Sequence, residues 1–223
     1  MPGSRWIVPL AVVSLLVPAR ASAQQFPGSE EPLRSGFGLE AAAGYGILAG
    51  EVGDSIGGGL EIEGMAFWQP RDLPARFGVG AEYAWFDFDR ADGSMGKLSL
   101  FGTATLLIRS NDTSMLPYVQ GRIGWTRLSD DQGCAPPYEQ AGALCGAGPG
   151  EVTPGTRTRS GIEIGAVVGV DIPVGERLSL DVGGTFNWLA VGDFDFEGTT
   201  LPDTDAAGSA FGLRAGAIYF LGP

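Results

Sequence analysis

The 223 residues include 37 glycines and no histidine, and 26 acidic side chains against 14 basic ones give a formal charge of −12. A hydrophobic share of 44%, with 10% aromatics, is far too high for a disordered chain. Without histidine, a Ser-His-Asp triad, a Cys-His pair and a histidine-bearing zinc site are excluded, and the acidic balance argues against a nucleic-acid partner.

Residues 1–23 read as a secretory signal peptide. Arg5 precedes an apolar stretch over residues 7–17, and Ala21-Ser22-Ala23 supplies an A-x-A cleavage site. The stretch is too short for a transmembrane helix, which needs about 20 apolar residues, and no later run is longer. Cleavage would leave residues 24–35 as an N-terminal periplasmic segment and residues 36–223 as one domain. Losing Arg5 and Arg20 leaves 12 basic against 26 acidic residues, or −14.

Beyond residue 35 the hydrophobic period is two. The first segment sets Phe37, Leu39, Ala41, Ala43, Tyr45 and Ile47 against Glu40. The second sets Leu60, Ile62, Gly64, Ala66 and Trp68 against Glu61 and Glu63. The third sets Phe77, Val79, Ala81, Tyr83 and Trp85 against Glu82. The fourth has Leu98, Leu100, Gly102, Ala104, Leu106 and Ile108 against Lys97, Ser99, Thr103 and Thr105. The fifth has Pro117, Val119, Gly121, Ile123 and Trp125 against Gln120, Arg122 and Thr126. The sixth runs Ile162, Ile164, Ala166, Val168, Val170 and Ile172 against Glu163 and Asp171. The seventh runs Leu178, Leu180, Val182, Gly184, Phe186 and Trp188 against Ser179, Asp181, Thr185 and Asn187. The eighth runs Phe211, Leu213, Ala215, Ala217, Tyr219 and Leu221 against Arg214. Strands of 9–13 residues with one apolar face predict an all-β fold. Eight of them suit an antiparallel up-and-down barrel, whose closure removes exposed edges.

Short turns fall at residues 69–75, 110–115 and 173–176, and longer connections at 49–55, 87–95, 128–159 and 189–207. Short turns on one rim and long loops on the other mark a transmembrane barrel, its apolar parity turned to lipid. The aromatic ends agree. From Phe37 to Tyr45, Phe77 to Trp85, Pro117 to Trp125 and Leu180 to Trp188 the strands climb eight residues. At about 3.4 Å per step and about 40° of tilt that is roughly 21 Å, close to the ~25 Å apolar band. Tyr45, Trp85, Trp125 and Trp188 are therefore expected to form the outer aromatic girdle. A soluble ligand-binding barrel would instead turn its apolar face inward.

The other parity would line a narrow lumen with Glu40, Glu61, Glu63, Glu82, Lys97, Arg122, Glu163, Asp181 and Arg214. Buried charges need partners. Strand order puts Arg214 between Asp181 and Glu40, with shear able to bring in Glu61 or Glu63 instead. Lys97 should find Glu82, and Arg122 should find Glu163.

Three stretches carry a family resemblance: Pro117-Tyr118-Val119-Gln120-Gly121-Arg122-Ile123-Gly124-Trp125, Pro173-Val174-Gly175-Glu176-Arg177-Leu178-Ser179-Leu180 and Arg214-Ala215-Gly216-Ala217-Ile218-Tyr219-Phe220-Leu221. With them the chain resembles the small bacterial outer-membrane β-barrels of the OmpA/OmpX type over about residues 36–221. The resemblance implies an outer-membrane location, contact with outer-membrane lipid, and delivery to the barrel-assembly machinery by the C-terminal strand. Family members usually end at the aromatic residue, whereas this chain continues with Leu221, Gly222 and Pro223. Lipid-modifying enzymes of similar shape typically need a catalytic histidine.

Cys134 and Cys145, in the longest loop of an exported chain, read as a disulfide. Asp87-Phe88-Asp89-Arg90-Ala91-Asp92-Gly93 approaches a calcium loop but misses its spacing, and Leu98 stands where a bidentate glutamate is required. Asp193-Phe194-Asp195-Phe196-Glu197 continues the seventh segment's parity, which would set both phenylalanines on the Trp188 face. Gly57-Gly58-Gly59 and Gly146-Ala147-Gly148-Pro149-Gly150 lack the Lys-Ser/Thr of a phosphate loop. No cofactor or metal is expected. The expected function is non-enzymatic, an envelope-structural or surface-interaction barrel with a charge-plugged lumen; the alternative is a narrow, porin-like conduit for small solutes.

Overall fold

The computed structural model describes residues 34–52, 56–88, 94–108, 115–130, 155–196, 199–201 and 205–221. Among them are β1 (Gly36–Gly50), β2 (Ile56–Gln69), β3 (Ala75–Phe88), β4 (Ser94–Leu107), β5 (Leu116–Asp130), β6 (Arg157–Pro173) and β7 (Leu178–Val191). Two short strands follow, β8 (Phe194–Phe196) and β9 (Thr199–Leu201), and then β10 (Ala206–Phe220). Each long strand pairs antiparallel with its chain neighbours, β10 joins β7 to β1, and the ring is continuous through β5–β6. The fold is a closed eight-stranded antiparallel barrel, with β8 and β9 as a small hairpin off the upper end of β6.

The barrel strands are 14–17 residues long, against the 9–13 read from apolar alternation. Alternation of apolar and polar residues marks only the lipid-facing stretch. Ladder hydrogen bonds carry each strand past it, to ends whose inward residues are apolar as well, as at Leu48, Phe86, Leu128 and Leu189.

Alternation divides inside from outside. Phe37, Leu39, Tyr45, Leu60, Ile62, Val79, Leu100, Ile123, Ile164, Val168 and Leu213 are all exposed on the outer surface. A soluble sheet would not present so continuous an apolar exterior, so the soluble ligand-binding barrel is overturned. At the lower rim Phe37 pairs with Trp68, and Trp68 with Phe77, as a continuous aromatic band.

One expected parity does not hold. β6 pairs Gly161 with Val191, but three residues on it pairs Thr158 with Asp195, so the partner strand has taken up one extra residue near Gly192-Asp193. A one-residue bulge reverses the faces. Phe196 is consequently buried, not turned to the Trp188 side, and Phe194 stacks under the guanidinium groups of Arg157 and Arg159 at 4.9 and 4.3 Å.

Candidate functional site: a lumen filled in layers

The interior is stacked in three layers. Uppermost is an apolar cap made of Leu48, Val52, Ala84, Phe86, Met95, Leu128, Leu189, Val191 and Ala210. These occupy inward positions near the upper ends of the strands, and Val52 is folded over them from the turn after β1. Lowest is a base in which Phe67 and Phe220 meet edge to face at 5.4 Å, joined by Met65 and Ile218. The ion pairs around Arg122 and Arg214 lie between.

Arg122, on β5, is the centre of the charged layer. Its guanidinium reaches Glu82 at 2.5 Å, Glu163 at 2.7 Å and Glu63 at 3.1 Å, and it lies over the Phe101 ring at 4.3 Å. Lys97 joins two of these acids from β4, at 2.6 Å to Glu82 and 3.0 Å to Glu163. Ser99 donates to Glu163 at 2.7 Å. The register sets Glu63 directly opposite Glu82, a like-charge pair that would be destabilising without the guanidinium reaching both. Room for the Arg122 side chain comes from Gly165, its cross-strand partner, where a Cβ would lie 3.0 Å from Arg122 Cγ.

Below it, Arg214 on β10 bonds Glu63 at 2.5 Å, Glu40 at 2.7 Å and Asp181 at 3.1 Å, and donates to the Tyr118 hydroxyl at 3.0 Å. Its direct cross-strand partners are Gly44 and Gly183, so the long side chain meets no bulk beside it and reaches down to carboxylates further along both strands. Glu63 contacts both arginines and makes the two sets one network. An arginine fork can bond several carboxylate oxygens at once, which a lysine cannot do in the same geometry.

The structure thus brings Glu40, Glu63, Glu82, Lys97, Arg122, Glu163, Asp181 and Arg214 together; Glu61 is buried beside them but makes no ion pair among the described residues. Tyr45, Trp85, Trp125 and Trp188 all lie outside, 55%, 45%, 42% and 41% exposed. Cys134 and Cys145 lie outside the described residues, as do residues 1–33, residues 89–93 of the acidic stretch that begins at Asp87, and Glu197.

Sequence reasoning missed a lower ion pair and the cap. Arg76 is buried, bonds Asp171, donates to Gln69 at 2.8 Å, and sits 5.3 and 5.7 Å from the Phe67 and Phe220 rings. Arg34 closes the same end from before β1, donating to Ser179 at 2.7 Å and lying 5.5 Å from the Phe220 ring. The sequence does carry a signal for Arg76, which shares Glu82's parity and immediately precedes Phe77, where the third apolar segment begins. The cap announces itself where alternation fails, as in Trp85-Phe86, Ile47-Leu48 and Trp188-Leu189.

No family model matches the chain, and no curated protein does. Among solved structures, the chain is similar to Neisserial surface protein A, at 19% identity and a TM-score of 0.57, over 83% of this chain and 97% of that one. A major outer membrane protein from Thermus thermophilus aligns at 15% identity and TM-score 0.47, over 82% and 98%. The outer membrane protein OprG from Pseudomonas aeruginosa aligns at 7% and 0.46, over 83% and 96%. The Neisserial likeness is one of fold, a transmembrane barrel spanning nearly the whole of that chain.

Proposed function

We propose that the protein is a non-enzymatic outer-membrane barrel whose role is structural in the envelope or lies in surface interaction, with a lumen closed to solutes. One observation carries the reading: three layers fill the interior in series, an apolar cap, a continuous ion-pair network and an aromatic base. A conduit needs a continuous wetted path, and eight strands leave an interior that side chains alone can fill. The apolar exterior with aromatic rings at both rims supports contact with outer-membrane lipid. Export by the residue 1–23 signal and assembly through the β10 strand belong to the same reading, and surface display is what the Neisserial protein's name states of that protein.

The test is planar-bilayer recording on the purified, refolded barrel. The expected result is no stable unitary conductance, and reproducible single-channel steps would return the narrow-conduit reading. Envelope fractionation with a heat-modifiability gel checks location: the outer-membrane fraction should hold a band that shifts on boiling.

A further inference from the structure

Among the described residues, every lumen acid but one lies within salt-bridge distance of a cation, and the exception is Glu61. It is buried, 7% exposed, and makes no hydrogen bond among those residues. A second unsatisfied group belongs to Arg214. Its terminal nitrogens are committed to Glu40, Glu63 and Asp181, but its Nε is buried and has no acceptor among the described residues. A buried acceptor and a buried donor each bear the full desolvation cost of a lost hydrogen bond, so both call for a partner.

The register sets the two side by side. Gly44 on β1 pairs with Glu61 of β2 on one side and with Arg214 of β10 on the other. The inward residues of β1 at this level are Ala42, Gly44 and Gly46, so no bulky side chain stands between them. The two chains then lean apart. Arg214 reaches down to its carboxylates, while Glu61 leans up and across β1. A Cβ at Gly46 would fall 2.2 Å from Glu61 Oε1, and one at Gly212 would fall 3.2 Å from Oε2 and 2.7 Å from Thr185 Oγ1. The space left between is a cavity of about 10 Å³ lined by Gly44, Glu61, Glu63, Glu82, Thr185 and Arg214. That is about what one water takes up, and a buried water needs two to four polar partners. The guanidinium in the wall opposes a cation, and the carboxylates oppose an anion. A neutral molecule that accepts one hydrogen bond and donates two suits this lining.

We propose that one resident water occupies this cavity, accepting from Arg214 Nε and donating to the Glu61 carboxylate. Its second hydrogen has Thr185 Oγ1 or the Glu63 and Glu82 carboxylates to meet in the same wall. The bridge brings Glu61 into the ion-pair network and ties β2 to β10 across the bare inner face of β1. The inference goes beyond the closed-barrel reading and fails separately from it, since conductance tests the one and the water itself the other. The experiment is NMR on the refolded, perdeuterated barrel in micelles, reading NOE and ROE cross-peaks between the Arg214 Nε–H and the water line. Cross-peaks of opposite sign are expected, which marks a water held in place and excludes simple proton exchange. Gly212→Ala, whose methyl would crowd Thr185 Oγ1 and Glu61 Oε2 into the cavity, should abolish them. Thr185→Val should leave them, because the hydroxyl proton is not their source. No NOE in the wild-type barrel would overturn the proposal, as would an NOE that survives Gly212→Ala or disappears in Thr185→Val. Should Gly212→Ala fail to refold, a crystal structure of the wild-type barrel that shows ordered water carries the test. A water within hydrogen-bond distance of both Arg214 Nε and Glu61 is expected there, and direct contact between the two groups or an empty gap overturns it.

Discussion

Arg122 holds three carboxylates apart from one another, and its removal would leave Glu63 and Glu82 opposed with only Lys97 and Arg214 to serve them. Breaking a buried pair by deleting one partner costs about 3–5 kcal/mol. Arg122→Met should therefore lower folding stability by that order in urea unfolding from detergent micelles. Lys97→Met should cost clearly less, because Glu82 and Glu163 both keep Arg122. The double variant should cost more than the two losses summed, since both cations serve the same acids and each covers for the other. A double variant no worse than the sum of the singles would mean that the pairs act independently. Most of this network is legible in the sequence, because Lys97, Arg122 and Arg214 share a parity with their acids and strand order names the neighbours. The register is what sequence alone does not give. It sets Arg214 opposite two glycines and so lets it span to Glu63, on a strand two removed from its own.

At the scale of the strand, alternation fixes faces as long as one residue faces one residue across the ladder. Within the barrel it slips only at the start of β2, where the register to β3 shifts by one between Ile56 and Gly59, and it fails again at Gly192-Asp193, where one added residue carries Phe196 to the buried side. Nothing in Asp193-Phe194-Asp195-Phe196 signals the bulge, since the residues alternate as well in either phase. The outer face also has a depth dependence that can be read as energy. Ile123 lies near mid-height on β5, whereas Leu60 on β2 pairs with Tyr45 and Trp85 toward the upper rim. Arginine at the bilayer midplane costs about 2–4 kcal/mol, and near the interface about 0–1. Ile123→Arg should accordingly destabilise the barrel in lipid vesicles by about 1 kcal/mol or more beyond Leu60→Arg, the smallest gap those depth values allow. The gap should shrink in detergent, which deforms around a charge. An inverted order would put the midplane of the membrane at the wrong height on the strands.

For the whole molecule, the layers act in series, and this makes closure resistant to any single lesion. The cap depends on apolar packing: Leu128 and Leu189 are almost fully buried, and truncating either to alanine costs about 2–5 kcal/mol for the lost contacts and cavity. Yet Leu128→Ala with Leu189→Ala removes only the cap, and the guanidinium groups of Arg122 and Arg214 still cross the lumen beneath it. Conversely, Arg122→Ala with Arg214→Ala opens the charged layer but leaves the cap dry above it and the Phe67–Phe220 base below. Ions cross only where water is continuous. Each double variant should therefore stay silent in planar-bilayer recordings at a protein density where a known porin conducts. The combination should begin to leak, provided that it still shows the folded band on an unboiled gel. Conductance from the cap variant alone would place the whole barrier in the cap and remove the ion-pair layer from any part in closing the barrel.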